Sequence, residues 1–256
     1  IPRAIKHAEQ ADQLSPNTPV FIDSLAFLYI QVGKFDKSKQ LIGKYINLFE
    51  KGTLQYAGAL TVAVHKLKQL GDLGLASKYS DEYLKTIEKY KDRDPEKYLD
   101  SLVIAIQMGT LTTQENHVKK SLELYKSALS FCEAKLGNKY KKYSKILAGL
   151  GLTYSQLGNY SKGEAYLQKA LKYEDKNAKY DQAKFEIYYG LKEVYTNIRA
   201  YDKALDVTTR ASEFVKNEYG SNSNVYGSTL RDIGFIFCAM GKCEQGRKYV
   251  AEALRI

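Results

Sequence analysis

Residues 150–171 read LGLTYSQLGNYSKGEAYLQKAL, and this segment contains the clearest structural signals of the chain. A small residue follows an aliphatic one at Leu150-Gly151, an aromatic ring stands at Tyr154, and Gly158 marks a turn. Another small residue, Gly163, lies beyond the turn. This spacing predicts two antiparallel helices that pack closely enough to exclude bulky side chains at fixed points.

The same pattern returns near both ends of the chain. It reads Leu25-Ala26, Tyr29, Gly33, Phe35 and Ser38 toward the front, and Ile233-Gly234, Phe237, Gly241, Cys243 and Gly246 toward the end. A unit that recurs does not bury its apolar face alone, so neighbouring units must stack on it. The sequence therefore predicts a solenoid of helix pairs, an architecture that favours binding over catalysis.

The residue that opens each second helix measures the repeat length. These markers are Phe35, Leu73, Val118, Tyr160, Tyr201 and Cys243, spaced 38 to 45 residues apart. An earlier half unit contains Ala4, Ala8 and Ala11, and Pro16 is expected to end its helix.

The quoted residues resemble the tetratricopeptide repeat (TPR) family, whose 34-residue unit has Leu-Gly, Tyr, Ala and an aromatic residue at set positions. The resemblance is strongest around Gly33, Gly158 and Gly241, and weakest around residues 108–113, where threonines favour helix poorly. The later spacing, near 42 residues, is similar to the longer TPRs of kinesin light chains. The chain departs from the family pattern in having no tryptophan, and glycine replaces the usual alanine at Gly163 and Gly246.

The resemblance implies an all-α TPR superhelical solenoid of stacked antiparallel helix pairs over residues 1–256. A half unit would occupy 1–16, with six units at about 17–51, 52–92, 95–136, 138–177, 178–219 and 220–256. Since neither end reads as a polar capping helix, we expect the chain to be an excerpt of a longer protein.

Composition narrows the class of protein. Hydrophobic residues make up 44% of the 256, enough for a packed core. No apolar run approaches the roughly 20 residues that a membrane span needs, and the first residues lack a signal-peptide pattern. Three cysteines, Cys132, Cys238 and Cys243, are too few for a disulfide framework and favour small buried thiols in a reducing compartment. We therefore expect a cytoplasmic protein without membrane contact.

The family resemblance also implies where a partner binds, because the first helix of each TPR unit lines the concave surface. Tyr189 is of particular interest as an exposed ring beside the amide of Asn197. The candidate peptide- or partner-binding residues are Phe27, Gln31, His65, Lys68, Gln69, Gln114, Lys145, Gln156, Tyr189, Glu193, Asn197, Arg231 and Phe235.

One column of this alignment is rich in side-chain amides. Its members are Gln31, Gln69, Gln114, Gln156, Asn197 and finally Ala239. An amide both donates and accepts hydrogen bonds, so such a ladder could hold an extended peptide backbone whatever its sequence. The alternative is that the last turn of a helix simply tolerates glutamine.

The net charge of +10 raises the question of a nucleic-acid partner. At the concave positions, basic and acidic residues cancel, and most of the surplus lysines fall on second helices and loops. This dispersed pattern is typical of a solvated face and disfavours nucleic acid as the main ligand. A local patch at Lys139, Lys141, Lys142 and Lys145 leaves an acidic partner or RNA open.

Catalytic patterns are absent from the sequence. His7, His65 and His117 fall in different units without a nucleophile or carboxylate pattern, and no phosphate-binding loop or metalloprotease motif occurs. Asp94-Pro95 reads as the start of a helix. We therefore predict a non-enzymatic protein without a cofactor or metal.

The function expected from the sequence is a scaffold that captures a protein or peptide segment in its concave groove. Two alternatives stay open: a regulatory TPR region that controls a fused or partner effector domain, and an RNA-binding helical repeat. Exposed terminal helices would also allow a homo-oligomer.

Overall fold

The computed structural model describes residues 1–110, 115–173 and 182–256, and every regular element in these ranges is a helix. The helices are α1 (Pro2–Leu14), α2 (Pro19–Gln31), α3 (Phe35–Ile46), α4 (Leu54–Gln69), α5 (Leu73–Glu88), α6 (Pro95–Thr110), α7 (Glu115–Lys135), α8 (Tyr143–Gln156), α9 (Tyr160–Lys172), α10 (Gln182–Asn197), α11 (Tyr201–Tyr219), α12 (Asn224–Ala239) and α13 (Cys243–Ala253). The prediction of an all-α fold of helix pairs is confirmed.

The helices divide into two compact bodies. The N-terminal body, residues 1–113, contains α1 to α6, and the C-terminal body, residues 114–256, contains α7 to α13. Within each body every helix packs on the next one along the chain; α4 also contacts α6, and α8 contacts α10. This nearest-neighbour packing is the stacking expected of a solenoid.

The markers chosen from the sequence locate most of the second helices. Helices α3, α5, α9, α11 and α13 begin at Phe35, Leu73, Tyr160, Tyr201 and Cys243. The marker for α7 was wrong, since that helix already includes Glu115, three residues before Val118. Gln114, a member of the amide column, lies outside the described residues.

Five helix pairs turn at a residue with left-handed backbone. Arg199 fills this position between α10 and α11 with φ 59°, and glycine fills it elsewhere. In each turn the N–H of the next residue donates to the carbonyl five residues earlier, as from Asn159 to Tyr154 at 2.9 Å. This closure satisfies carbonyls that the helix end leaves without a partner. The four glycines are Gly33, Gly71, Gly158 and Gly241, with φ of 73° to 78°.

Side-chain caps fix several helix starts. Asp94 accepts a hydrogen bond from the N–H of Lys97 at 3.1 Å and precedes α6, which begins at Pro95. The predicted role of Asp94-Pro95 is therefore confirmed. Thr53, Asp72, Asn159 and Ser223 cap α4, α5, α9 and α12 in the same way, which supplies partners for otherwise unbonded N–H groups.

The pattern of small residues allows helices of one pair to approach closely. A Cβ on Gly151 would lie 3.0 Å from the carbonyl oxygen of Gly163, and one on Gly246 would lie 2.5 Å from that of Gly234. A Cβ on Gly151 would also lie 2.6 Å from Cγ of Leu167. Real Cβ atoms essentially never come closer than 3.0 Å to another heavy atom, so α8 and α9, like α12 and α13, depend on glycine here. This confirms the role predicted for Gly163 and Gly246.

The cysteines depart in part from the sequence prediction. Cys132 is fully buried in α7, and burial raises the pKa of its thiol to about 11. Cys238 and Cys243 are exposed, so the prediction of buried thiols was wrong for both. They lie at the end of α12 and the start of α13, beside the turn that joins the two helices.

Among the described residues, no helix combines the length and the apolar character needed to cross a membrane.

Candidate functional site

A cleft of about 320 Å³ opens between α10 and α12 in the C-terminal body. The two helices occupy the first position of successive helix pairs, so stacking the pairs brings their exposed faces side by side. The lining residues are Lys192, Glu193 and Thr196 from α10, Tyr201 from α11, and Asp232, Phe235, Ile236 and Ala239 from α12. We call this site the α10–α12 cleft.

Lys192 organises the polar part of the α10–α12 cleft. Its Nζ atom lies 2.8 Å from Oδ2 of Asp232 and 3.1 Å from Oε1 of Glu193, and its side chain is only 12% exposed. Burial works to lower the pKa of Lys192, but the carboxylates of Asp232 and Glu193 outweigh it and leave the pKa above its ordinary value. A charged lysine shared by two carboxylates gives these three side chains one negative charge in sum.

Aromatic rings are exposed at this cleft. The ring of Phe235 is part of the lining and is 60% exposed, and that of Tyr189 is 49% exposed. Nζ of Lys192 lies 4.0 Å from the centre of the Tyr189 ring, so a cation–π contact holds the tyrosine at the cleft. Exposed rings beside fixed charges are the usual anchor points of protein interfaces.

The structure brings three candidate residues together at this site: Tyr189, Glu193 and Phe235. Sequence reasoning missed Lys192 and Asp232. The sequence did contain a signal for Lys192. In the repeat alignment Lys192 is equivalent to Gly151, 41 residues earlier, so a lysine replaces the usual small residue. A long charged side chain at a small-residue position has to leave the tight helix contact and reach outward.

A related arrangement lies in the N-terminal body. Nζ of Lys66 on α4 lies 3.1 Å from Oδ1 of Asp23 on α2, and the lysine side chain is only 9% exposed. The same ammonium lies 5.5 Å from the ring centre of Phe27, a candidate residue that is 43% exposed. A lysine, a carboxylate and an exposed ring therefore recur between neighbouring first helices.

The amide column divides into two groups. Nε2 of Gln69 lies 3.0 Å from Nε2 of His65 one turn earlier, and the amide of Asn197 donates to the carbonyl of Glu193 at 2.8 Å. Gln31 and Gln156 are exposed at the ends of α2 and α8. Both are therefore open to a partner, whereas Gln69 and Asn197 already have one bond within their own helix.

The candidate basic residues occupy different settings. The ammonium of Lys68 donates to the carbonyl of Met108 on α6, and burial lowers its pKa. Lys145 is half-buried on α8. Arg231 is exposed and lines a second cleft of about 190 Å³ with Ser228, Val250 and Leu254. Lys68 thus ties α4 to α6, and Arg231 remains the most accessible of the three.

In the described ranges, no cluster of three or more histidine, cysteine, aspartate or glutamate side chains could bind a metal ion.

Residues 144–177, which form α8, α9 and the segment after them, match the family model of the tetratricopeptide repeat. Residues 144–177 are therefore a tetratricopeptide repeat, and the stacked helix pairs around them have the fold of a TPR solenoid. None of the curated proteins matches the sequence.

Several solved structures are similar to this chain in fold. BtubC (BKLC) from P. vanneervenii is 16% identical with a TM-score of 0.67, over 99% of this chain and 86% of that one. A putative kinesin light chain from Podospora anserina, with nearly identical TPR-like repeats, is 10% identical with a TM-score of 0.65, over 81% and 96% of the two chains. The type IV pilus biogenesis factor PilW is 14% identical with a TM-score of 0.57, over 91% of each. At these identities the likeness shows the fold alone.

Proposed function

We propose that this protein is a non-enzymatic scaffold that captures a segment of a partner protein along its first helices, with the α10–α12 cleft as a principal contact. The observation that carries the proposal is the pair of exposed rings, Tyr189 and Phe235, beside the fixed Lys192–Asp232 ion pair. Exposed aromatic surface is unfavourable in water, so a partner side chain that buries these rings contributes favourable free energy of binding.

The charges of the α10–α12 cleft favour specific hydrogen bonds with a partner over long-range electrostatic attraction. Lys192 is already engaged, so the ion pair forms a rigid polar wall. The side chains of Glu193 and Asp232 are 46% and 25% exposed, and their carboxylates can accept hydrogen bonds from a partner's N–H groups or cationic side chains. A partner segment would match the site if one of its apolar side chains packed on the ring of Phe235 and a neighbouring hydrogen-bond donor faced the two carboxylates.

The amide ladder adds a way to hold a peptide backbone. Gln31 and Gln156 offer unbonded donors and acceptors in the two bodies, and Gln114 is expected to do the same from its place in the sequence. Such contacts read the backbone rather than the side chains of a partner. Specificity would then come from the rings at the α10–α12 cleft.

Selection from a phage-displayed random peptide library tests the proposal. We expect peptides that bind the wild-type chain and lose at least about tenfold in affinity when Tyr189 and Phe235 are both replaced by alanine. Tyr219→Ala is the matched control: this tyrosine is 42% exposed at the end of α11, and it does not line the cleft. The triple replacement of Gln31, Gln114 and Gln156 by alanine tests the amide ladder separately, and an unchanged affinity for the selected peptides would contradict it.

Two outcomes would contradict the proposal. Selected peptides could bind the Tyr189→Ala/Phe235→Ala variant as tightly as the wild type. Alternatively, no peptide binds, and a single-stranded polynucleotide binds with a steep dependence on salt. The second outcome would favour the RNA-binding alternative. Self-association and a cytoplasmic location stay predictions from the sequence.

A further inference from the structure

The final helix pair carries two exposed thiols at its turn. Cys238 lies in the last turn of α12 and Cys243 is the first residue of α13, with Gly241 between them in left-handed conformation. The Cys243 thiol lies 3.9 Å from the backbone carbonyl oxygen of Cys238. The turn therefore folds the second cysteine back onto the first.

The close packing of α12 on α13 brings the other sulfur into the same place. A Cβ on Gly246 would lie 3.3 Å from Sγ of Cys238, so this sulfur rests over the first turn of α13. Cys243 opens that turn, so the sulfur of Cys238 lies over the same turn of α13 that carries the second thiol. Both side chains are open to solvent.

Equivalent turns lack this chemistry. Ser155 and Tyr160 hold the matching positions between α8 and α9, and Thr196 and Tyr201 hold them between α10 and α11. The hydroxyl of Ser155 packs over Gly163, as the sulfur of Cys238 packs over Gly246. In the C-terminal body these two turns carry a small hydroxyl side chain at the first position and a tyrosine at the second, whereas the turn of the last pair carries two sulfurs.

We propose that Cys238 and Cys243 are a redox-active thiol pair that forms an intrachain disulfide by exchange with a small disulfide such as oxidised glutathione. The Cys243 thiol lies at the carbonyl of Cys238, and the Cys238 sulfur lies over the helical turn that Cys243 opens. The two side chains are therefore close neighbours, as a disulfide requires. The neighbouring Cys243 thiol raises the pKa of the Cys238 thiol, and the positive charge of Arg247, one turn into α13, offsets part of this shift.

The exchange balances in two steps. The thiolate of Cys243 attacks one sulfur of oxidised glutathione, so a mixed disulfide forms, the glutathione S–S bond breaks and one glutathione thiolate leaves. The thiolate of Cys238 then attacks Sγ of Cys243, so the protein disulfide forms and the second glutathione leaves. In sum two protein thiols are oxidised, one glutathione disulfide is reduced, and the two protons end on the released glutathiones.

Mass spectrometry of the whole chain after incubation with oxidised glutathione tests this proposal. Trypsin cuts after Arg231, Lys242 and Arg247, so the two cysteines fall in separate peptides, 232–242 and 243–247. We expect these peptides to be joined by a disulfide under non-reducing conditions, at low protein concentration, with no glutathione retained. Reduction with dithiothreitol should separate them.

Single-cysteine variants supply the control. Cys238→Ser and Cys243→Ser should each keep one glutathione per chain, because the second thiol that expels it is missing. Cys132→Ser should behave as the wild type, since Cys132 is buried and apart from the pair. Wild-type chains that retain glutathione on both cysteines, or that crosslink only between two chains, would overturn the proposal.

Discussion

Nζ of Lys192 on α10 lies 2.8 Å from Oδ2 of Asp232 on α12, and this ion pair joins the first helices of two successive helix pairs. The two residues are 40 positions apart in the sequence. Their pairing depends on how one helix pair stacks on the next, and it places the charges beside the exposed rings of Tyr189 and Phe235.

We predict that Lys192→Met lowers the free energy of unfolding of the C-terminal body by about 1–2 kcal/mol. Loss of one partner of a fully buried pair costs roughly 3–5 kcal/mol, and here Asp232 is still 25% exposed, so water compensates in part. Urea unfolding of Lys192→Met, Asp232→Asn and the double variant measures the coupling. Purely additive losses would show that the pair does not contribute.

Stability should fall at alkaline pH, in part because of Tyr125. Burial, with a smaller effect of the Glu186 carboxylate, raises the pKa of Tyr125 to about 12. The phenol in the unfolded chain titrates near pH 10. Since the folded state keeps its proton longer, the stability from Tyr125 is complete below about pH 10 and is lost as the pH rises toward about 12, by about 3 kcal/mol in total.

The variant Tyr125→Phe isolates this effect. Its stability should decline less than that of the wild type between about pH 9 and about pH 11, by about 1 kcal/mol. Lysine titration, including that of Lys192 with its raised pKa, also lowers stability in this range and is common to both proteins. Equal declines in urea-unfolding experiments would contradict the assignment.

We predict that Arg199→Gly stabilises the C-terminal body by about 0.5–1 kcal/mol. Arg199 has φ 59°, a conformation in which a side chain clashes with its own backbone at a cost of about 1–2 kcal/mol. Glycine removes this strain, but it also raises the entropy of the unfolded chain, which cancels part of the stabilisation. Gly158→Ala at the equivalent turn, with φ 78°, is the reciprocal variant and should lose about 1 kcal/mol. Thermal unfolding compares them; a destabilised Arg199→Gly would indicate contacts of the arginine that outweigh the strain.

Gly149→Ala should destabilise the C-terminal body by about 2–3 kcal/mol. A Cβ on Gly149 in α8 would overlap the ring of Tyr125, which is buried and has little room to move. Gly58→Ala in α4 is the matched control, because its Cβ would meet no atom within 4 Å. This change should be neutral or stabilising by up to about 1 kcal/mol through helix propensity. Similar effects of the two substitutions in urea unfolding would refute the packing argument.

Part of the candidate site could be found from the sequence. The repeat register located Tyr189, Glu193 and Phe235 on first helices, and the structure gathers them at one cleft. The register did not reveal that Lys68 bonds to the carbonyl of Met108 or that His65 pairs with Gln69. Those contacts depend on side-chain rotamers and on the neighbouring helix, which a repeat pattern does not describe.

The amino-acid sequence predicts the helix pairs well, because the signals that define them are local. A turn glycine, a capping residue and small residues at helical spacing act within a few positions, and they gave the starts of α3, α5, α9, α11 and α13. The polar contacts between helix pairs, in contrast, depend on the three-dimensional packing and are not visible in the sequence. Lys192 finds Asp232, and Lys66 finds Asp23, because stacking sets the distance between first helices, and that distance follows from the packing of whole helix faces.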